Sequence, residues 1–406
     1  MTADLVSLAI IALVAVLCPL ISKSLPHRPI PETVFLLGFG AVLGPHMLDC
    51  IQLSDSINLL SELGLTFLFL LAGFEINPKS LTGRQGKRGL VTWLISLALG
   101  FLAVRLSSQF SVSHLDGIAV AIALGTTALG TLIPILKERE VMDTRVGSAV
   151  LSYGTWGELG PVIAMALLLS TRAEWVTVVV LLVFAAVAAL VGIVPRKARA
   201  AGRYVFVFFT EYANSTSQTL VRLTVLLLIG LAALSAFFNL DIVLGAFAAG
   251  FVLRYVAPEG NATLEMKLDG IAYGFLIPVF FVVSGANIDL FAVAEQSRLL
   301  GGFVAMLLLI RAVPIFIALT TDRETRDMAP GGRIAVSLYC TTALPLIVAV
   351  TSVAVKAGAM SADIASVLVA AGALTVFVMP VLAGILTHFF PEDAAPSLPE
   401  DAAPSA

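Results

Sequence analysis

The chain has 406 residues, 59% of them hydrophobic and 13% charged, with a formal net charge of −3. Mean hydropathy is +1.00; a soluble chain carries about twice that charged fraction, so the composition excludes a water-soluble globular domain and points to an all-α polytopic membrane protein. The small net charge and the lack of a long basic tract exclude a nucleic-acid partner, and Cys18, Cys50 and Cys340, with no CxxC spacing, exclude a disulfide framework or a zinc centre.

The N-terminal stretch "MTADLVSLAIIALVAVLCPLI" has no basic leader and no A-x-A cleavage site. It reads as a first span rather than as a removed signal. Crossing the hydrocarbon takes roughly 20 apolar residues. Thirteen segments qualify, centred near residues 13, 38, 66, 97, 127, 158, 184, 228, 248, 277, 309, 345 and 376. Turn-rich or charged stretches such as "INPKSLTGRQGKRG" and "PRKARAAGRY" separate them. His27, His46, His114 and His388 fall near segment ends and read as interfacial residues.

Loops after odd-numbered spans hold 18 of the 24 Lys and Arg residues, and loops after even-numbered spans hold 4. Cytoplasmic loops carry the positive excess. The expected orientation is N-terminus outside and C-terminus cytoplasmic, in a plasma (inner) membrane. Residues 1–390 form one expected transmembrane domain. Residues 391–406, "PEDAAPSLPEDAAPSA", are Pro-rich and acidic and are expected to be a disordered cytoplasmic tail. No nucleotide-binding regulatory domain is expected.

Span 5 contains "GTTALGTLIPIL" and span 12 contains "CTTALPLIVAVT", 215 residues apart. Seven spans separate the two, so they run in opposite directions. Spans 3 and 10 carry a weaker match, with Gly73 and Ile76 against Gly285 and Ile288, at a shift of 212. The near-equal shifts predict an inverted repeat of spans 3–6 and 10–13, a plan common in transporters. Thr-Thr weakens a helix, and Pro345 and Gly130 weaken it further. Spans 5 and 12 are therefore expected to break and cross, as in a sodium/proton antiporter-like fold. The break would expose oxygens of Thr126, Thr127, Thr341 and Thr342 to a small hard cation. Close packing of small residues between helices is the competing reading of these threonines.

Glu158 lies near the centre of span 6 and Arg311 slightly past the centre of span 11. A charge at mid-bilayer costs about 3 kcal/mol or more when unpaired, which marks both as functional candidates. Glu158 can hold a proton or a metal cation, and that competition is the minimal chemistry of an antiporter. Arg311 stays charged and is read as its charge partner; a purely structural Glu–Arg pair is the alternative. Glu62, Glu75, Asp241, Arg222 and Arg254 read as interfacial or snorkelling charges.

At these residues the chain resembles the monovalent cation:proton antiporter-2 family. "LPHRPIPETVFLLGFGAVLGP" is similar to its second span and "LSELGLTFLFLLAGFEIN" to its third. "LGTTALGTLIPILKERE" resembles its broken helix, and "LGAFAAGFVL" and "GFLIPVFFVVSGANIDL" resemble two later spans. The likeness runs over about residues 5–390 and suggests a Kef-type membrane domain without its regulatory domain. The resemblance implies a homodimer, an elevator-like motion, and exchange at the acidic residue of span 6, here Glu158. Where members carry Asp, Asn or Gln just before it, this chain has Gly157, and Arg311 stands where many have Lys.

The expected function is exchange of a monovalent cation (Na⁺, K⁺ or Li⁺) for H⁺, one for one, with no cofactor and no enzymatic activity. An organic-anion symporter on the same plan and a non-transporting sensor with a degenerate site remain open alternatives.

Overall fold

The computed structural model describes residues 2–24, 31–75, 84–106, 114–168, 218–238, 241–256 and 262–389. The expected seventh span, near residue 184, and the tail at 391–406 lie outside these residues. The described helices are α1 (Thr2–Ser24), α2 (Glu32–Leu43), α3 (Asp55–Glu75), α4 (Arg84–Leu106), α5 (His114–Leu124), α6 (Leu129–Glu138), α7 (Arg145–Leu168), α8 (Thr219–Phe237), α9 (Ile242–Val256), α10 (Ala262–Ile271), α11 (Ile277–Ala286), α12 (Leu290–Glu295), α13 (Ser297–Leu307), α14 (Val313–Thr321), α15 (Pro330–Tyr339), α16 (Leu344–Lys356) and α17 (Ala362–Phe389).

Among the described residues, eight helical stretches are long and apolar enough to cross a membrane, and three shorter apolar helices accompany them. The helix α7 is 24 residues long but carries the polar run from Ser152 to Glu158. Large apolar side chains face outward: Leu5, Leu13 and Leu20 of α1 are each more than half exposed. Such a surface is at home only in hydrocarbon or against another apolar partner. The chain is a multi-pass, all-α membrane protein.

Two helices widen for an identifiable reason. A π turn at Ala272–Leu276 joins α10 to α11, and another at Leu308–Ala312 joins α13 to α14. Pro278 and Pro314 follow each turn at the same offset. Proline has no N–H and clashes with the carbonyl four residues back, so the helix opens by one residue there. The second π turn contains Arg311.

The contacts group the chain into two units, with α7, α16 and α17 each divided between them. The first comprises Met1–Asn77, Val162–Ser297 and Val348–Ala370. Within it, α3 packs on α9 and α11 packs on α2 through glycines that let backbones touch. A β-carbon on Gly250 would strike the Leu70 carbonyl, and one on Gly73 the Phe247 carbonyl; Gly40 and Gly285 stand in the same relation to Val282 and Leu37. Span 2 thus packs on span 10, and span 3 on span 9, each through a pair of glycines. Gly250→Val is expected to cost about 1–3 kcal/mol by overpacking, read as a lower melting midpoint in detergent. An unchanged midpoint would mean the two backbones have room to part.

The second unit comprises Pro78–Pro161, Arg298–Ile347 and Ala371–Ala406. Its apolar core joins Leu132 and Leu136 of α6, Val146 and Val150 of α7, Ile315 and Leu319 of α14, and Val336 and Tyr339 of α15. Every side chain singled out for ion chemistry lies in this unit.

Candidate functional site

The two Thr-Thr stretches are where the helices stop. The backbone leaves the helix after Leu124 and resumes at Leu129; it leaves again after Tyr339 and resumes at Leu344. Gly130 and Pro345 lie in the first turn of the helix that follows each break, not in the break itself. That is where a proline's missing donor costs nothing.

The broken stretches are hydrogen-bonded to each other. The Ala128 N–H donates to the Thr342 carbonyl at 2.9 Å, and the Thr127 hydroxyl donates to the Cys340 carbonyl at 2.5 Å. Thr126 and Thr341 repeat one local geometry: each hydroxyl donates to the carbonyl three residues back, Ala123 and Leu338, at 2.6 Å. All four threonines are fully buried. The Thr342 hydroxyl, in contrast to that of Thr127, has no hydrogen-bond partner among the described residues.

Helix α7 meets this crossing at Gly157, whose carbonyl accepts the Thr127 N–H at 2.8 Å. The sequence "GELGP" explains why that carbonyl is available. Its helical partner would be the N–H four residues on, but that residue is Pro161. Glu158 follows immediately and is 4% exposed, an acidic side chain inside the second unit.

Arg311 is completely buried. Its Nε and Nη2 donate to the Thr127 hydroxyl at 3.1 and 2.9 Å, and Nη2 also donates to the Tyr153 carbonyl at 3.0 Å. The structure thus ties Arg311 to Thr127 and α7. Those carbonyl partners, Cys340 and Tyr153, carried no sequence signal, because any residue type supplies a backbone oxygen. Carboxylate, hydroxyl and carbonyl oxygens are the ligands of a hard cation. Among the described residues, no three of His, Cys, Asp and Glu gather into a metal-holding group.

Among the described residues, two cavities have polar side chains in their walls. One in the second unit, of about 100 Å³, is bordered by Gln85, Ser148, Ser152, Tyr153, Asp322 and Glu324. Arg88 pairs there with the buried Asp322, and Gln85 bridges Ser152 and Glu324 at 2.9 Å on each side. The other, in the first unit, is about 380 Å³ and includes Asn58, Ser61, Glu62, Asn287, Thr351 and Lys356 in its walls. Glu62 pairs with Lys356 there. Arg254 lies 5.6 Å from the centre of the Phe74 ring, a cation–π contact that suits a residue near a helix end.

Asp241 precedes α9 and caps it, accepting the Val243 N–H at 2.8 Å. Burial pushes its carboxyl above the usual range and Glu62 adds to this, while the Val243 bond and Lys356 oppose it. The folded protein therefore holds this proton to higher pH than the unfolded chain does. The stabilisation is full below the unfolded value of about 3.9 and is lost as pH rises through the folded value. Asp241→Asn keeps the cap, so its melting midpoint is expected to exceed that of the parent at pH 7, with the gap closing towards pH 4. A gap independent of pH would rule this account out.

Comparison with known proteins places these features. Residues 11–389 match the family described as sodium/hydrogen exchanger, transmembrane. The Bacillus subtilis (strain 168) protein YjbQ is 28% identical over 319 residues, covering 72% of this chain and 49% of its own length. The high-affinity Na(+)/H(+) antiporter NhaS3 of Synechocystis sp. is 26% identical, covering 58% of this chain and 51% of its own. The match thus spans about half the length of these two relatives. The solved sodium proton antiporter MjNhaP1 from Methanocaldococcus jannaschii has the same fold, with a TM-score of 0.64 at 18% identity over 96% of this chain and 99% of that one.

These matches correct the Kef-type, antiporter-2 assignment: the family that the chain matches is the sodium/hydrogen exchangers. The misreading has a physical source. Broken spans and glycine-lined helix contacts are demands of a shared architecture, so motifs that record them do not separate its branches. The fold, the buried site at the crossing and the match over residues 11–389 together establish that this chain belongs to the sodium/hydrogen exchanger family of transmembrane proteins, a family of transporters and not of enzymes.

Proposed function

We propose that this protein exchanges a monovalent cation, Na⁺ or K⁺, for H⁺ across the plasma membrane, with Glu158 as the shared proton and cation site. The observation that carries the reading is the buried carboxylate of Glu158 beside Gly157, whose carbonyl is bonded to one of two mutually bonded helix breaks. Thr126, Thr341 and Thr342, with the carbonyls of the breaks, supply neutral oxygens, and Thr127 contributes by holding Arg311. The ends of four half-helices meet at the breaks, and their partial charges suit a site that holds a cation and a carboxylate in turn.

The transporter plan is thirteen spans with inverted repeats in spans 3–6 and 10–13, N-terminus outside and C-terminus cytoplasmic, with residues 1–390 as the transport domain and 391–406 as a tail. It works as a homodimer, by an elevator-like motion that exposes Glu158 to each side alternately. One titrating carboxylate with a fixed Arg311 predicts one proton per cation, hence electroneutral exchange. The names of the relatives, Na⁺/H⁺ antiporters, support the choice of substrate.

The test is reconstitution in liposomes with an imposed proton gradient and a fluorescent reporter of internal pH. Addition of Na⁺, Li⁺ or K⁺ is expected to dissipate the gradient, without a change of rate when the membrane potential is clamped. An organic-anion symporter would instead respond to a carboxylate substrate. That alternative is weakened by Arg311, whose Nε and Nη2 are engaged with Thr127 and Tyr153, leaving only Nη1 without a hydrogen bond among the described residues. No response to any of these ions would sink the proposal.

A further inference from the structure

Gly157 does more than lend its carbonyl. A β-carbon there would fall well inside contact distance of Arg311 Nη2, Thr127 Oγ1 and Thr127 Cβ. The guanidinium and the Thr127 side chain thus lie where a side chain at 157 would begin. The Thr127 hydroxyl is also fully used. It accepts from Nε and Nη2 of Arg311 and donates to the Cys340 carbonyl, the whole capacity of one hydroxyl. It has no lone pair left for a transported ion. Its counterpart in the other break, Thr342, has a buried hydroxyl without a hydrogen bond among the described residues. The second threonine hydroxyls of the two Thr-Thr breaks therefore differ: that of Thr127 seats Arg311 and that of Thr342 does not.

We propose that Gly157 is a specificity-determining position: its missing side chain makes the seat in which Arg311 is locked to Thr127, so a fixed cation takes the volume of a second ligand at the exchange site. The transported ion is then held by one carboxylate, Glu158, with neutral oxygens from the breaks, and Thr342 offers the free hydroxyl among them. Arg311 acts here as a positioning residue, through Thr127. This inference rests on the exchange reading above and adds that residues 157, 127 and 311 work as one element.

The seat predicts an outcome opposite to simple ligand counting. Installing a polar side chain, Gly157→Asn, would add an oxygen ligand, yet it is expected to lower kcat/KM for Na⁺ at least tenfold, because it dislodges Arg311 and Thr127. Gly157→Ala, which adds no ligand, is expected to do the same. The decisive measurement is a double-mutant cycle on Na⁺-driven exchange in proteoliposomes, with KM and kcat read separately. Arg311→Lys keeps the charge but has no second arm to span Thr127 and Tyr153. Its loss and that of Gly157→Ala are expected not to multiply: the double variant should fall within about twofold of the worse single one. Multiplying losses, or an unchanged or higher kcat/KM in Gly157→Asn, would overturn the seat. A Gly157→Ala protein that does not accumulate folded is replaced by the pair Arg311→Lys and Thr127→Val, which leaves position 157 intact; here too, multiplying losses overturn it. If the parent protein shows no cation-coupled proton movement, the exchange reading fails; if it exchanges but the variants act independently, only the seat fails.

Discussion

Glu158→Gln is expected to abolish cation-driven proton movement, with exchange down at least about a hundredfold in proteoliposomes while the protein stays folded. Glutamine keeps the shape of the side chain and can still hydrogen-bond, but it can neither release a proton nor offer a full negative charge to a cation. The argument turns on burial. At 4% exposure, the carboxylate of Glu158 is enclosed by the protein. Burying an ionised carboxylate carries an effective penalty of several kcal/mol. Glutamine keeps the volume and the hydrogen-bonding capacity of the side chain, so the melting midpoint is expected to stay near that of the parent. Loss of exchange with an intact midpoint separates a transport role from a structural one. Exchange that survives in Glu158→Gln would remove this residue from the mechanism.

Arg311→Met should be the second largest effect, and its two readouts should diverge. Methionine conserves much of the buried volume without a charge. The arginine loses its hydrogen bonds to Thr127 and Tyr153, each worth about 1.5–3 kcal/mol when the donor is charged. Against this stands the recovered cost of burying a guanidinium, also several kcal/mol. The terms nearly cancel, so stability is expected to move by no more than about 2 kcal/mol. Exchange should nevertheless fall at least tenfold, because the Thr127 hydroxyl loses both of its donors and the fixed charge beside the crossing is gone. Arg311→Ala differs: it also leaves a cavity, at about 2–5 kcal/mol for a large side chain truncated in a core. A normal exchange rate in Arg311→Met would show that the arginine serves only the packing of α13–α14 against α7.

Much of the fold was legible because membrane burial writes in composition. Hydrocarbon demands long apolar runs and closed backbone hydrogen bonding, and helices appear at each expected span within the described residues. The twin "TTAL" segments foretold the breaks, since threonine's competing hydroxyl weakens a helix wherever it stands, and both Thr126 and Thr341 donate to the carbonyl three residues back. The exact places of Gly130 and Pro345 did not follow, because a residue that weakens a helix can also begin one. The family branch was misread for the reason that fold-level motifs are shared.

Burial of Glu158 and Arg311 could be inferred one residue at a time: a charge in a greasy span must sit inside the protein. Their neighbours could not. The Gly157 carbonyl opens because Pro161 lies four residues on, a local relation that the sequence contains; that Thr127 N–H takes up this carbonyl is a fact of three dimensions. Arg311 reaches Thr127 across 184 positions of chain. That pairing joins a residue of the π turn to a remote helix break and uses the space that Gly157 leaves empty. By itself, the sequence determined that this protein lives in a membrane, where its helices break and which charges lie buried, since each follows from the free energy of single residues in hydrocarbon. Only the tertiary structure decided that Arg311 belongs to Thr127 and that a glycine makes room for it, because those outcomes depend on shape and distance between segments remote in the chain.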